Sequence, residues 1–467
     1  MKRMYRWIGA LVLGACLLMP KADAAAAERK ERELPGYVAV PQGQQMPAEK
    51  RDRRDQGTAE SVSRNGRQES GHAKEVERNA KKAVNEIKKV RLTWPIVPGA
   101  VRYQVVLLRD GNDTPANIVH AQEFIFTTGV EIDLRRYGER AKDFYWKVCP
   151  LSFEGTAIGH FSKPQSILEQ EIDPKKPLPT TEYEKMDYFP LYPAFSWVPA
   201  QGAKLHEVQV IRHRAEGDVV VRKLYGGEYD VYDEAGYTVP GDYAWRVRSL
   251  RQDGRAASEW SEPSGFRVTA PVKVAALGDS ITHGGGAMVV PLSQTMYNWE
   301  TYSPVAVKNL GYSGNTTGDM LERFEKDVLP FQPKILVIMG GVNDCRGYVP
   351  GWDTVMNLAL IQKKCIAYGI IPVFASVTPI NPEIIALRGV LEMPREDWQV
   401  HQEYVNEWIM RQEHHVDVHT VLSDSLGRLE AAYTSDGLHP DMEAKKYIGE
   451  TIGAYLLSTF PDIVQKR

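Results

Sequence analysis

The sequence predicts a multidomain protein: two all-β sandwiches in tandem, followed by an α/β three-layer domain with a parallel sheet. Three observations carry this. A pattern of alternating apolar and polar residues, broken by Gly and Asp-Gly turns, occurs twice with the same internal spacing. Beyond Val272 the pattern changes to short apolar runs separated by residues at helical spacing. The 467 residues also exceed what one ordinary domain holds. Apolar residues make up 43% and charged residues 25%, enough to bury real cores. With 57 basic and 60 acidic residues the net charge is −3, so nothing draws the whole chain toward nucleic acid.

Residues 1–24 read as a secretory signal peptide: Lys2, Arg3 and Arg6 precede an apolar run from Trp7 to Met19, and Ala-Asp-Ala comes next at 22–24. The run is shorter than the roughly 20 apolar residues a membrane span needs. No transmembrane span is therefore expected in the mature chain, and the expected location is secreted, periplasmic or cell-surface. Leu13-Gly14-Ala15-Cys16 also resembles a bacterial lipobox, which would allow lipid anchoring at Cys16. Cys149, Cys345 and Cys365 then remain, an odd number without metal-ligand spacing. Buried free thiols are expected, not a disulfide framework. Residues 25–90 are dense in charged and amide side chains and too poor in large apolar ones to fold alone. They form a charged, disordered spacer, helical at most toward Glu75 to Lys89.

The repeated segments are 91–170 and 194–270. Leu92-Thr93-Trp94, Gly99-Ala100 and Tyr103-Gln104-Val105 parallel Phe195-Ser196-Trp197, Gly202-Ala203 and His206-Glu207-Val208. Tyr145 to Val148, Glu154-Gly155 and Ser162-Lys163-Pro164 likewise parallel Ala244 to Val247, Asp253-Gly254 and Ser261-Glu262-Pro263. The early Trp, the later Tyr/Trp strand and the closing Ser-x-Pro resemble fibronectin type III domains. The tryptophans are expected to fill the space between two sheets; the alternative is a face for glycan or cell-surface contact. A proline-rich linker, 171–193, separates the copies and should be semi-rigid. Only Thr269-Ala270-Pro271 separates the second copy from Val272, so that sandwich is expected to pack on the α/β domain.

From 272 to 467 the strands are expected at Val272–Leu277, Val305–Leu310, Ile335–Met339, Ile371–Val377 and Val416–Val421. Helices are marked by Met320, Leu321, Phe324 and Val328; by Leu358, Ile361 and Cys365; and by Tyr447, Ile448, Ile452 and Tyr455. Such alternation implies a parallel sheet covered on both faces, with ligands beyond the carboxyl ends of the strands.

Ser280 lies just past the first of these strands, where a nucleophile would stand at the rim of the sheet. A hydroxyl alone is inert; it needs a base, an orienting carboxylate and oxyanion donors. Gly278-Asp279-Ser280, Gly311, Gly341-Val342-Asn343-Asp344 and Asp436-Gly437-Leu438-His439-Pro440 occur in that order. Together they resemble the SGNH or GDSL hydrolases over roughly Val272 to Phe460, with Ile281 in place of the family's leucine. The resemblance implies serine esterase chemistry with no metal and no organic cofactor. It implies Ser280 as nucleophile, His439 as general base and Asp436 as the group holding the imidazole. The N–H of Ser280, the N–H of Gly311 and the side-chain amide of Asn343 would form the oxyanion hole. Asp279 and Asp344 are expected to cap or brace these turns. His414, His415 and His419 adjoin a strand pattern and are not read as a metal site. No Gly-x-Ser-x-Gly elbow occurs, which argues against the ordinary α/β-hydrolase fold.

Tyr312, Arg346 and the segments 285–302 and 379–398 are expected to wall the site. The segments carry Trp299, Tyr302, Arg388 and Trp398, suited to a sugar or to ordinary packing; Tyr312, Arg346 and Trp398 are the candidate substrate contacts. Export, accessory modules and aromatic-rich loops point to a secreted esterase acting on acylated carbohydrate, removing O-acetyl or similar short groups. The alternatives are a lysophospholipase, lipase or thioesterase, and a surface-binding protein working through its sandwiches.

Overall fold

The computed structural model describes residues 86–287 and 290–467. The expected signal peptide, Cys16 and nearly all of the charged spacer lie outside the described residues. At the end of the expected spacer, 86–88 have no regular secondary structure, and Lys89 and Val90 already belong to the first strand.

The first repeat builds two antiparallel sheets. In one, β1 (Lys89–Thr93) lies between β4 (Gly129–Asp133) and β7 (Glu171–Ile172). The other runs in the order β3 (Ile118–Ile125), β2 (Arg102–Leu108), β5 (Tyr145–Leu151), β6 (Gln165–Ser166). Alternation along β2 sends Tyr103, Val105 and Leu107 inward to meet Val90 and Leu92 of β1 and Trp146 and Val148 of β5. The rings of Trp94 and Trp146 approach to 6.1 Å.

The second repeat has the same plan. The order β12 (Asp230–Tyr232), β9 (Ala194–Val198), β8 (Leu178–Pro179) faces the order β11 (Val219–Gly226), β10 (Leu205–Arg212), β13 (Gly241–Leu250), β14 (Ser264–Val268). Trp146, Trp197 and Trp245 are fully buried, so these rings are core and not a ligand face.

The proline-rich connector does not stand apart from the sandwiches. β7 pairs with β1, and β8 pairs with β9. Asp173 accepts the N–H groups of Lys88 and Lys89 at 2.9 and 2.8 Å, and Arg91 holds Glu171 at 2.6 Å. Pro179 is tolerated because β8 is an edge strand, where a missing N–H costs nothing.

Beyond the second sandwich, five parallel strands form one sheet in the order β16 (Lys308–Gly311), β15 (Val274–Gly278), β17 (Ile335–Met339), β18 (Ile371–Ala375), β19 (His415–Val416). The helices are α1 (Ser280–His283), α2 (Thr317–Glu322), α3 (Phe324–Val328), α4 (Val342–Arg346), α5 (Gly351–Ala367), α6 (Pro382–Arg388), α7 (Trp398–Ile409) and α8 (Met442–Thr459). β19 is much shorter than the run Val416–Val421 suggests. Asp417 Oδ1 accepts the N–H groups of His419 and Thr420 at 2.9 and 3.1 Å, which turns the chain out of the sheet. α7, with mixed polar and apolar residues, was not legible in the sequence. None of the described helices is long and apolar enough to cross a membrane.

The two sandwiches differ in their cores. Residues such as Leu92, Val105 and Trp146 form a core confined to the first sandwich. Phe195, Trp197 and Trp245 instead belong to a hydrophobic core continuous with Leu277, Phe324 and Val337 of the α/β domain. The second sandwich and the α/β domain are therefore expected to unfold in one calorimetric transition. Trp245→Ala is expected to cost about 3–5 kcal/mol and to move that whole transition down; separate melting of the α/β domain in the variant would show the core to be divisible.

Candidate active site

The strand order places β15 at the point where the chain turns to opposite sides of the sheet, with β16 on one flank and β17 on the other. The segments leaving the carboxyl ends of these strands carry Ser280, the turn 312–315 and Asn343. The fourth piece, Thr434 to Pro440, arrives from the far end of the chain and is closed by a bridge between Thr434 and Pro440.

Ser280 opens α1. Asp279 caps it by accepting the N–H of Ile281 at 2.9 Å. The Ser280 hydroxyl donates to His439 Nε2 at 3.1 Å, and His439 Nδ1–H donates to Asp436 Oδ2 at 2.7 Å. The other oxygen, Oδ1, accepts the N–H groups of Leu438 and His439 at 2.9 and 2.8 Å. One carboxylate thus holds both the backbone turn and the ring, and this is why three residues of separation suffice.

Asn343 stands in the first turn of α4, and its Nδ2 donates to the carbonyl of Asn315 at 3.0 Å, leaving a second N–H. Asp344 accepts the N–H and the hydroxyl of Thr317 at 2.9 and 2.6 Å, bracing the start of α2.

Gly311 is a correction to the expected oxyanion set. Its N–H is already donated to Asn309 Oδ1 at 2.9 Å, and it is the last residue of β16. Glycine is required there for another reason: a Cβ would lie 2.2 Å from the backbone N of His283, so β16 and α1 could not approach. Gly314, for which the sequence carries no separate signal, sits on the turn just beyond. Its φ of 82° is left-handed, and its N–H finds no acceptor among the described residues.

Two of the expected wall residues also need correction. Trp398 is 5% exposed and belongs to the hydrophobic core, as does Trp299; neither offers a face to substrate. The Tyr302 hydroxyl donates to Met296 O at 2.9 Å. Arg388 donates to Ser435 O at 2.8 Å, pairs with Glu154 of the first sandwich and covers the Phe153 ring. Arg346 donates to Glu392 O at 2.6 Å. Tyr312 lies parallel to the His283 ring at 6.0 Å. Two aromatic residues shortly after Asn343 in the chain are exposed instead: Tyr348 at 94% and Trp352 at 59%.

Among the described residues, no group of three or more His, Cys, Asp or Glu is arranged to hold a metal ion. His414, His415 and His419 each contact Tyr455, Gln412 or Val377 instead. Cys149, Cys345 and Cys365 are buried and unpaired.

Two wholly buried carboxyls beside Ser280 diverge. Burial would raise the Asp436 pKa, but the His439 charge, its hydrogen bond and the two turn N–H groups outweigh it and hold Asp436 below the usual carboxylate range. Asp279 has one N–H donor, and burial pushes it up to about 7, with nearby Asp344 adding to the rise. A carboxyl raised by folding favours the native state while neutral, so its contribution is lost as pH rises from its ordinary 3.8 through about 7. Asp279→Asn is expected to gain stability relative to the unmutated protein across that window. Urea unfolding at pH 4, 6 and 8 checks this, and a constant difference between the two proteins would contradict it.

Residues 276–446, over a third of the chain, match the family model described as the GDSL-like Lipase/Acylhydrolase family. No curated protein matches the chain. Among solved structures, the chain is similar to a GDSL-like lipase from Bacteroides thetaiotaomicron, with 22% identity over 41% of this chain and 93% of that one, and a TM-score of 0.33. It is similar to the lipase/acylhydrolase from Enterococcus faecalis, with 20% identity over 42% of this chain and 98% of that one, and a TM-score of 0.34. It is also similar to an acetyl xylan esterase from Geobacillus stearothermophilus, with 20% identity over 40% of this chain and 95% of that one, and a TM-score of 0.31. The family match spans Ser280, Asn343, Asp436 and His439, and this likeness of the α/β part to GDSL-like acylhydrolases indicates a carboxylic ester hydrolase.

Proposed function

We propose that the protein is a secreted serine esterase that removes acetyl or similarly short acyl groups from carbohydrate through an acyl-enzyme on Ser280. The observation that carries the chemistry is the chain of 3.1 and 2.7 Å from Ser280 through His439 to Asp436. His439 Nε2 takes the hydroxyl proton as Oγ attacks the ester carbon, and returns it to the leaving alcohol as the tetrahedral intermediate collapses. Water then cleaves the acyl-enzyme with the same group acting first as base and then as acid. Asp436, held ionised, fixes the tautomer and stabilises the imidazolium. The N–H of Ser280, the N–H of Gly314 and the second N–H of Asn343 Nδ2 face the oxyanion, with Gly314 in the role expected of Gly311.

The substrate class rests on two features. Ser280 is only 8% exposed, which suits a small acyl group, and Tyr348 and Trp352 present open aromatic faces just after Asn343 in the chain. The sandwiches, read as fibronectin type III-like modules, would serve glycan or cell-surface contact. Exposed Met356, Met393 and Val400 favour the second reading, a lipase or lysophospholipase.

Hydrolysis of p-nitrophenyl esters from acetate to laurate separates the readings. The expected result is the highest rate on acetate, falling about 10⁴-fold or more in Ser280→Ala. Preference for long chains would move the substrate to lipids. Equal, negligible rates with and without Ser280 would remove the esterase reading. In the same assay Asn343→Ala is expected to lower kcat by about 10²- to 10³-fold; an unchanged kcat would exclude its amide from the oxyanion hole.

A further inference from the structure

We propose that Tyr192, in the segment leading into β9, is a positioning residue for the esterase site, which makes the second sandwich a working part of the catalytic centre. This rests on the esterase reading of Ser280. Tyr192 is 3% exposed and lies at the seam between the sandwich and the α/β domain, and both of its oxygens are used across that seam.

The first link is its carbonyl. It accepts His283 Nε2–H at 2.5 Å, and this bond settles which ring nitrogen carries the proton. Nδ1 is left as an acceptor and takes the N–H of Ser313 at 3.2 Å and the Ser313 hydroxyl at 2.8 Å. His283 ends the four-residue helix that Ser280 begins, and Ser313 immediately precedes Gly314. The Tyr312 ring is parallel to His283 at 6.0 Å and edge-on to Tyr192 at 4.8 Å, so the three rings pack as one unit. Burial lowers the His283 pKa to about 4, which keeps the ring neutral and this bonding pattern intact.

The second link is the phenol. Its hydroxyl donates to Asp327 Oδ2 at 2.7 Å, and the same carboxylate oxygen accepts Arg323 Nη1 at 3.0 Å. Arg323 places three further N–H groups on the site. Nη2 donates to Gly278 O at 2.8 Å, Nη1 to Leu310 O at 2.7 Å and Nε to Asn315 Oδ1 at 2.5 Å. One guanidinium thus joins the ends of β15 and β16 to the turn whose Asn315 carbonyl receives the Asn343 amide. Asp327 is fully buried, and its Oδ1 has no partner among the described residues, so the Tyr192 hydroxyl and Arg323 are what hold it. Both routes end at the turn carrying Gly314 or at the strand that delivers Ser280. An oxyanion donor works only when fixed before the reaction, and a displacement of about 1 Å can cost about a hundredfold in rate.

The test uses the full chain with p-nitrophenyl acetate as substrate, and a fluorophosphonate titrant to count competent Ser280 sites. Tyr192→Phe keeps the ring and deletes only the phenol. The expected result is a fall in kcat per titrated site of about ten- to a hundredfold with KM little changed, because the lost interaction matters mainly in the transition state. Ser313→Ala, at a half-buried position, breaks the other route and should lower kcat per site in the same direction while the protein stays folded. Unchanged kcat per titrated site in both variants, with only fewer sites counted in Tyr192→Phe, would overturn the proposal and leave Tyr192 a stability residue. Ser280→Ala in the same assay separates the two readings. An active wild type with unaffected variants refutes the Tyr192 assignment alone, whereas a wild type no faster than Ser280→Ala overturns the esterase reading and this one with it.

Discussion

β15 runs between β16 and β17 with every residue buried, and the chain connects to its neighbours in opposite directions. Three segments therefore open at the same ends of three adjacent strands, and the crevice between them needs no loop of unusual length. The closeness of the strand ends to α1 is what makes the crevice chemical. Asn309 donates to Thr282 O and accepts from Gly311, while Gly278 O receives the N–H of Tyr312 at 3.0 Å. Bulk at Gly278 or Gly311 would collide with Thr282 or with the His283 backbone and push the helix that carries Ser280 away.

The electrostatics depend on how many donors each buried carboxyl receives. Asp436 and Asp279 are both removed from water, yet one is held ionised and the other is pushed toward neutrality. The difference is the turn of Leu438 and His439 and the imidazole, against the single Ile281 N–H. Lys445 adds a further buried charge: it donates to Ile281 O at 2.6 Å, so the helix just past the His439 loop also holds the helix that carries Ser280. Burial lowers its pKa to about 8, opposed by Glu300 and the nearby aspartates.

The two sandwiches share a plan and differ in their relation to the hydrolase domain. The first keeps its own core and reaches the α/β domain through polar contacts, such as Glu154 with Arg388 and the Tyr297 hydroxyl, which accepts the N–H of Gly99 at 3.2 Å. The second merges its core with that domain and buries Lys308, whose Nζ donates to Phe189 O at 2.5 Å. Apolar burial is proportional to area and indifferent to domain boundaries, so a seam of this kind is expected to join a sandwich and an α/β sheet into one cooperative unit.

By itself the sequence determined the periodicities. Alternation around Tyr103 to Leu107 and Tyr243 to Val247 marked a strand in each repeat, the apolar run Ile335–Met339 marked β17, and helical spacing around Leu358 marked α5. The short separation of Asp436 and His439 was legible because both lie on one turn. Tertiary structure decided what local pattern cannot encode: which faces meet water and which donors are already spent. Trp398 and Tyr348 are both aromatic residues of irregular-looking segments, but packing against α/β elements distant in the sequence buries one and leaves the other open. Gly311 and Gly314 stand on the same short stretch. The Gly311 N–H is spent locally on Asn309, two residues earlier, whereas the close approach of the His283 backbone, from a segment nearly thirty residues earlier, is tertiary; the Gly314 N–H has no acceptor among the described residues.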